Sequence, residues 1–245
     1  MMSVQPELGL MLLVIGLYVY ESSSLVFCNQ ALMGSGWQTG WDIRFGNASL
    51  SFMGKEICIA PLLRPFSPQF IGTWRFEAED KSQNVVQTQW NPDLQKYKAL
   101  TPFVIWMIAA AFVVLPLGLF SSLGELWILL ACAMLYLGVI GLLIYLWLKR
   151  QTFKLTTKEF AGIAIEYLIC TPFALNVIRR LSMLEVVSED IECIARRMQT
   201  PEQWAHTRIQ MLRRLDDQIA YETEDSARSA RLTNHRKSLT EVNPS

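Results

Sequence analysis

Two long stretches without a charged residue lie close together in the middle of the chain, at Pro102 to Phe120 and at Leu126 to Leu148. Only the segment Ser121 to Glu125 separates them. The hydrocarbon core of a bilayer is about 30 Å thick and an α-helix rises about 1.5 Å per residue, so each stretch is long enough for one membrane crossing. The pattern therefore predicts a transmembrane helical hairpin over residues 101–148.

A shorter apolar run near the N-terminus, Leu8 to Tyr20, is followed by Glu21 and three serines. A cleaved signal peptide would need Lys or Arg before such a run, and none is present there. We interpret residues 1–28 as a first, short membrane helix over roughly residues 6 to 27, with Glu21 at the headgroup level. Glu21 is also a candidate intramembrane acid, because a charge within the hydrocarbon costs about 3 kcal/mol or more.

Within residues 29–100, the segment from 42 to 91 changes to a period of two, which is typical of half-buried strands. Turn residues separate the strands at Gly46-Asn47, at Gly54-Lys55 and at Glu79 to Ser82. These features predict a small antiparallel β domain of four or five strands between the first and second membrane helices. The apolar members of the alternating pattern are Ile43, Phe45, Leu50, Phe52, Ile57, Ile59, Trp74, Phe76 and Ala78.

A basic stop follows the hairpin and precedes another apolar stretch, Phe160 to Ile178, which Glu166 and Pro172 interrupt. If this stretch crossed the membrane, the basic pairs Lys149-Arg150 and Arg179-Arg180 would lie on opposite sides, against the positive-inside tendency. We therefore interpret residues 149–180 as a basic stop followed by an interfacial or re-entrant segment bent at Pro172.

Apolar residues at steps of three and four predict an amphipathic helical hairpin over residues 181–222. Its second helix has a strong start signal, with Thr200 as the N-cap, Pro201 at the first helical position and Gln203 completing a capping box. Residues 223–245 lose this periodicity and are predicted to form a disordered polar tail. The apolar stripe that predicts the first helix begins after Ala174, before the hairpin proper, and comprises Leu175, Ile178, Leu181, Leu184, Val187, Ile191, Ile194 and Met198.

Together these segments predict an integral membrane α+β protein with three transmembrane helices. With the N-terminus outside, the basic residues that flank the second and third spans all fall on the cytoplasmic side, as the positive-inside rule favours. This places the soluble domains in the cytoplasm, at the plasma membrane or bacterial inner membrane. The flanking basic residues are Lys96, Lys98, Lys149, Arg150, Lys154 and Lys158.

Few residues are candidates for chemistry. Glu166 is the foremost candidate, because it interrupts an apolar stretch, and a proton or ion relay there would use Arg179 or Lys158 as its partner. His206 and His235 are interpreted as solvated side chains, on a helix surface and in the tail. We interpret the widely spaced cysteines as free, buried thiols. We interpret the glycine-containing segment from Gly34 to Gly40 as a flexible linker. No catalytic residue, cofactor or metal is predicted.

The leading hypothesis is a non-enzymatic multi-pass membrane protein that acts as a structural, scaffolding or assembly component. Besides the lipid bilayer, its expected partner is a protein or a second copy of itself, bound through the cytoplasmic helices. Lys and Arg balance Asp and Glu at 22 each, so nucleic-acid binding is not indicated. The alternatives are a transporter or channel subunit for a small solute or ion, using Glu166 and Glu21, and a membrane enzyme that acts on lipid through Glu166, Tyr167 and Arg179.

Overall fold

The computed structural model describes residues 6–35, 40–59, 61, 64–75, 89–121, 123–221 and 226–241. The chain forms two compact units. The helical unit comprises Met1–Ser23, Ala60–Pro68 and Asp93–Ser182, and the mixed unit comprises Ser24–Ile59, Gln69–Pro92 and Met183–Ser245. The combination of helices with antiparallel sheet agrees with the predicted α+β class.

The helical unit contains seven α-helices and two short irregular helices among the described residues. In chain order they are α1 (Pro6–Glu21), α2 (Leu94–Lys98), α3 (Thr101–Ala109), a π-helical turn (Ala110–Val114), α4 (Leu115–Phe120), α5 (Gly124–Leu148), α6 (Thr157–Ile169), a 3-10 helix (Thr171–Asn176) and α7 (Val177–Met183). The π-helical turn lies where Pro116 removes the N–H that an α-helix would bond to the Phe112 carbonyl.

Two stretches among the described residues are long and apolar enough to cross a membrane. They are Leu94–Gly118 and Gly124–Leu148, each 25 residues long, with mean hydropathies of 2.3 and 2.5. Only 33% and 28% of their most apolar windows are buried inside the protein. By length and composition these two helices are weak evidence of membrane association. The structure thus contains the predicted pair of long apolar helices.

The two helices of this pair approach closely at two glycines of α5. A Cβ atom at Gly138 would lie 2.8 Å from Met107 Cγ, and one at Gly141 would lie 3.3 Å from Phe103 Cε1. The Trp106 indole N–H donates to the Met134 carbonyl at 2.9 Å. Large side chains of α3 therefore pack against small residues of α5, which is a common way for membrane helices to associate.

The N-terminal helix is shorter than the sequence predicts. It ends at Glu21, and the chain enters a strand at Ser23, so the predicted membrane helix reaching residue 27 is wrong at its C-terminal end. The Ser22 and Ser23 hydroxyls donate to the carbonyls of Tyr18 and Tyr20, both at 2.7 Å, in competition with continued helix. The 16 residues of α1 span about 24 Å, less than a bilayer core, so the structure does not establish a third crossing.

The segment after the hairpin breaks close to the predicted bend. α6 begins with a capping box between Thr156 and Glu159 and ends at Ile169. Cys170 then leaves the helical region, and the 3-10 helix that contains Pro172 begins. Proline cannot donate the hydrogen bond that a continuing helix needs, and it disfavours helical geometry in the residue before it.

The mixed unit contains six strands in two sheets among the described residues. They are β1 (Ser23–Phe27), β2 (Gln30–Ser35), β3 (Trp41–Phe45), β4 (Asn47–Phe52), β5 (Lys55–Ile59) and β6 (Gln69–Thr73). One sheet has the order β1-β5-β4, and the other has the order β3-β2-β6, in which β2 pairs antiparallel with both neighbours. The prediction of a single sheet with four or five strands is therefore wrong.

Three of the six strands, β1, β2 and β6, were not expected. β1 lies in the segment that was assigned to the membrane helix. β2 has four consecutive buried residues, Ala31 to Gly34, so it lacks the alternation by which a half-buried strand is recognised. β6 ends at Thr73, before the predicted strand at Trp74, whereas Phe76 and Ala78 lie outside the described residues.

A tight hairpin joins β4 to β5. Phe52 pairs with Lys55 across the loop Met53-Gly54, and these two loop residues have φ values of 51° and 75°. Positive φ at both positions is the geometry of a type I′ turn, whose twist matches that of the flanking strands. Gly54 adopts this conformation without strain, whereas Met53 does so as a non-glycine residue.

Three helices complete the mixed unit: α8 (Ile191–Met198), α9 (Pro201–Tyr221) and α10 (Ala227–Glu241). The predicted capping box is confirmed, because Gln203 N–H donates to Thr200 Oγ1 at 3.3 Å and Thr200 N–H donates to Gln203 Oε1 at 3.1 Å. The first helix of the predicted hairpin is instead broken between Met183 and Ile191. Asp190 caps the new start by accepting from the Glu192 N–H.

The tail prediction is wrong over residues 227–241, because these residues form α10. Leu232 and Leu239 are fully buried, and Arg236 Nε lies 2.6 Å from Asp216 of α9. The helix packs against α9 and depends on that contact, which its own polar composition does not reveal. Residues 223–225 and 242–245 of the predicted tail lie outside the described residues.

Candidate functional site

Both acidic residues singled out from the sequence lie in the helical unit and interact with the same arginine. Glu166, on α6, is 3.5 Å from Arg180 Nη2 on α7. Glu21, the last residue of α1, interacts electrostatically with both Arg180 and Glu166. The expected partners of Glu166, Arg179 or Lys158, are therefore replaced by Arg180. Glu166 pairs with Arg180, and Glu21 lies within electrostatic range of both, so this charged cluster has one excess negative charge when all three groups are ionised.

Tyr167 lies next to Glu166 in the chain and is completely buried. Its hydroxyl has no hydrogen-bond partner among the described residues, although most buried polar groups have one. The electrostatic neighbours of this phenol include Arg180, Glu21 and Glu166. The charged cluster thus borders on an unsatisfied buried hydroxyl.

Arg179 has a different environment from Arg180, with only 1% of its surface exposed. Its guanidinium donates to Ser22 Oγ at 2.6 Å, to Asn176 Oδ1 at 2.9 Å and to the Pro61 carbonyl, and it lies over the Tyr18 ring. All of these partners are uncharged. Arg179 therefore links α1, the Pro61 segment and α7 through its Nη1 and Nη2 donors, whereas its buried Nε has no hydrogen-bond partner among the described residues.

The mixed unit has its own buried ion pair, between Arg214 of α9 and Glu56 of β5. The guanidinium binds both carboxylate oxygens, with distances of 3.1 and 2.5 Å, and it also donates to the carbonyls of Cys28 and Gly46. The side chains of Arg214 and Glu56 are only 14% and 10% exposed. Arg214 lies on the wall of a groove of about 950 Å³ between the β4–β5 hairpin and α9.

His235 is not the solvated tail residue that the sequence suggested. Its Nε2 atom lies 3.1 Å from Glu192 Oε2, its side chain is 10% exposed, and its ring packs edge-on against Trp74. Glu192 also binds Arg196 at 2.6 Å. This arrangement fastens α10 to the rest of the mixed unit. His206 is exposed on α9, as expected.

The outer face of the β1-β5-β4 sheet is apolar and uncovered among the described residues. On β1, Leu25 and Phe27 are 49% and 47% exposed, and on β5, Ile59 is 50% exposed. The intervening residues Val26 and Cys58 face the interior. Lys55 Nζ lies 4.9 Å from the Phe27 ring centroid, so the two strands present these side chains on one face. We call Leu25, Phe27, Lys55, Ile57 and Ile59 the outer sheet face.

Sequence reasoning missed this face because it assigned Leu25 and Phe27 to a membrane helix. It also missed Arg180, whose role depends on how α6 and α7 pack. The five cysteines are free thiols, and burial raises the pKa of the Cys58 thiol to about 11, while the neighbouring Arg44 and Arg214 act in the opposite direction. The described residues hold no group of three or more His, Cys, Asp or Glu side chains arranged for a metal ion.

No protein-family model, curated protein or solved structure matches this chain.

Proposed function

We propose that the protein is a multi-pass membrane scaffold whose helical unit lies in the bilayer and whose mixed unit docks a second protein. The membrane part of the proposal is supported by the two long apolar helices, which bury only about a third of their most apolar windows. The exposed side chains on these helices are large and apolar, as hydrocarbon contact requires. They include Ile105, Phe112, Val113, Leu126, Leu129, Leu137, Ile140, Ile144 and Leu148.

The basic residues support one orientation in the membrane. Tyr97, just before α3, packs on Phe153, just after α5, with ring centroids 6.1 Å apart. The two basic flanks therefore lie at the same end of the hairpin, whereas Glu125 lies at the other end. By the positive-inside rule the basic end faces the cytoplasm, and the mixed unit lies on that side of the plasma membrane or bacterial inner membrane.

The outer sheet face is the observation that carries the docking proposal. The amphipathic stripes of the C-terminal helices, which were expected to bind the partner, are largely used within the mixed unit: Ile191, Ile194, Met211 and Leu215 are all buried. Leu25, Phe27 and Ile59 instead expose about half of their surface on one flat face. Aliphatic and aromatic groups beside a lysine match the apolar core and charged rim of a protein interface. The partner we infer is a protein with an apolar surface of its own.

The test replaces one half-exposed isoleucine by aspartate. Ile59 on the outer sheet face and Ile209 on α9 are matched, with 50% and 48% of their surfaces exposed. Both variants should fold, because the new carboxylate remains in contact with water. In cross-linked native membranes, Ile59→Asp should remove the higher-mass species that contains the protein, whereas Ile209→Asp should retain it. If both variants retain or both lose the cross-linked species, docking at this face is contradicted. Co-purification of two differently tagged copies separates self-association from binding to another protein.

The charged cluster favours a second candidate function, translocation of a proton or a small cation. The Glu166–Arg180 pair together with the nearby Glu21 has an excess negative charge that a proton or cation would neutralise. Glu166→Gln keeps the shape of the side chain but cannot release a proton, so it should abolish pH-driven dye quenching in vesicles without loss of folded protein. Unchanged transport, or no transport by the wild type, rejects this candidate.

The lipid-enzyme alternative gains no support from the geometry. Tyr167 and Arg179, which it would require at the headgroups, are 0% and 1% exposed.

A further inference from the structure

α6 runs back along α5 in the opposite direction. Near its start, the Phe160 ring lies 5.1 Å from the Trp147 ring, at the end of α5. Near its end, the Leu168 carbonyl lies 3.5 Å from the Tyr136 hydroxyl, at the midpoint of α5. The helix therefore extends from the Leu148 end of α5 to the middle of α5.

A helix lying flat in the membrane plane would not make both contacts. It would hold Leu168 level with Trp147, at the basic end of the hairpin. Tyr136 and Trp147 are eleven residues apart on α5, which is about 16 Å of helix. This distance is much longer than a tyrosine side chain, so the Tyr136 contact requires that α6 descends along α5.

The backbone beyond α6 is irregular but covered by protein. The 3-10 helix Thr171–Asn176 packs against α1, α3, α5 and α6. Thr171, Ala174, Leu175 and Asn176 are buried. Non-helical backbone is tolerated at membrane depth only where protein or a water-filled cavity surrounds it, and this segment meets that condition.

The uncovered side of α6 is apolar towards its C-terminal end. Ile165, Leu168 and Ile169 are 60%, 44% and 80% exposed. The charged groups of the same region interact with protein groups. Glu166 pairs with Arg180, whose side chains are 30% and 46% exposed, and the buried Arg179 donates to Ser22 and Asn176. Exposed apolar side chains at this end of α6 are expected where hydrocarbon covers it.

We propose that residues 157–183 form a re-entrant helix–turn–helix that enters the bilayer from the basic end of the hairpin, turns near Cys170 at mid-depth, and returns to the same side. Its partner surface is the hydrocarbon interior of the membrane, which contacts Ile165, Leu168 and Ile169. The proposal rests on the proposed crossing of the membrane by α5.

Nitroxide depth measurements test the proposal on the full chain in phosphatidylcholine–phosphatidylglycerol vesicles. Single cysteines, in a background without the native cysteines, carry the label at Lys158 and Ile169 on α6 and at Leu148 and Leu137 on α5. Relative accessibility to oxygen and to a water-soluble nickel complex reports depth. We expect Ile169 to be as deep as Leu137, and about 16 Å deeper than Lys158, which should resemble Leu148.

Two other outcomes of the depth measurement contradict different parts of the argument. If Ile169 is no deeper than Lys158 while Leu137 is deep, α6 is interfacial and the re-entrant proposal is wrong. If Leu137 is accessible to the nickel complex, the proposed membrane crossing itself fails. A second experiment tests the return to the same side of the membrane. A cysteine at Val186, which is 84% exposed, is labelled from each side of sealed vesicles with an impermeant maleimide. Labelling from the same side as Lys158 supports the return, and labelling from the opposite side indicates that residues 157–183 cross the membrane completely and overturns the proposal.

Discussion

Removal of the Arg214 side chain should loosen the core of the mixed unit more than removal of any exposed arginine. Arg214 binds both oxygens of Glu56 and the carbonyls of Cys28 and Gly46, and its guanidinium lies 4.9 Å from the Phe45 ring centroid. Arg214→Ala leaves the Glu56 carboxylate buried without its counter-ion. Loss of one partner from such a pair costs about 3–5 kcal/mol.

Cys58 supplies a local assay for this loss. Its side chain is buried in the core formed with Val26 and Leu32, so alkylation requires opening of the core. In a variant whose other cysteines are replaced by alanine, maleimide labelling of Cys58 at constant pH measures the free energy of opening. A loss of about 3 kcal/mol corresponds to labelling on the order of 100-fold faster, since 1.4 kcal/mol is a factor of ten.

The matched control is Arg213→Ala, since Arg213 is the exposed neighbour on the same helix. In this control, the rate of Cys58 labelling should stay within a few-fold of the rate in the parent protein. Removing the Arg214 charge also tends to raise the pKa of Cys58 further, which slows labelling, so a faster rate reports opening. Equal rates for the two arginine variants would refute the argument that Arg214 is a central support. Adding Glu56→Gln to Arg214→Ala should recover part of the loss, because the unpaired charge is then gone.

Three further predictions concern stability of the detergent-solubilised protein. Leu232→Ala should lower the free energy of unfolding by about 2–5 kcal/mol and lower the unfolding temperature, because Leu232 is buried. Lys237→Ala, on the exposed side of the same helix, should leave both unchanged. Equal effects of the two changes would mean that α10 is not packed. Gly138→Val should destabilise the apolar hairpin by about 1–3 kcal/mol, in contrast to Gly162→Ala, whose new methyl meets nothing within 4 Å. The raised pKa of Cys58 contributes stability below pH 9 that is lost as the pH rises to about 11, so the parent should lose stability over that interval relative to Cys58→Ala.

Features that depend on neighbouring residues were predictable from the sequence. The apolar hairpin follows from the length of two uncharged stretches, and the start of α9 follows from Thr200, Pro201 and Gln203, whose hydrogen bonds close within one helical turn. The strands β3, β4 and β5 follow from their period of two, and in β3 and β5 the residues alternate between more and less buried positions.

The missed features all depend on residues that are distant in the chain. β2 is the central strand between β3 and β6, which lie later in the chain, and its four middle residues are all buried, so they do not alternate. α10 has a polar sequence, and its helix is held by buried leucines and by contacts of His235 with Glu192 and Trp74. No local pattern records these partners.

The charged cluster formed by Glu21, Glu166 and Arg180 was also predictable only in part from the sequence. From the sequence alone, Glu21 and Glu166 are exceptional because each interrupts or ends an apolar stretch, where a charge is costly. Their association with Arg180, and the separation of Arg180 from its buried neighbour Arg179, were decided by the packing of α1, α6 and α7. The sequence determined which segments avoid water, because that property is summed over consecutive side chains. Only the tertiary structure decided which charges meet, because an ion pair depends on distances between segments that are far apart in the chain.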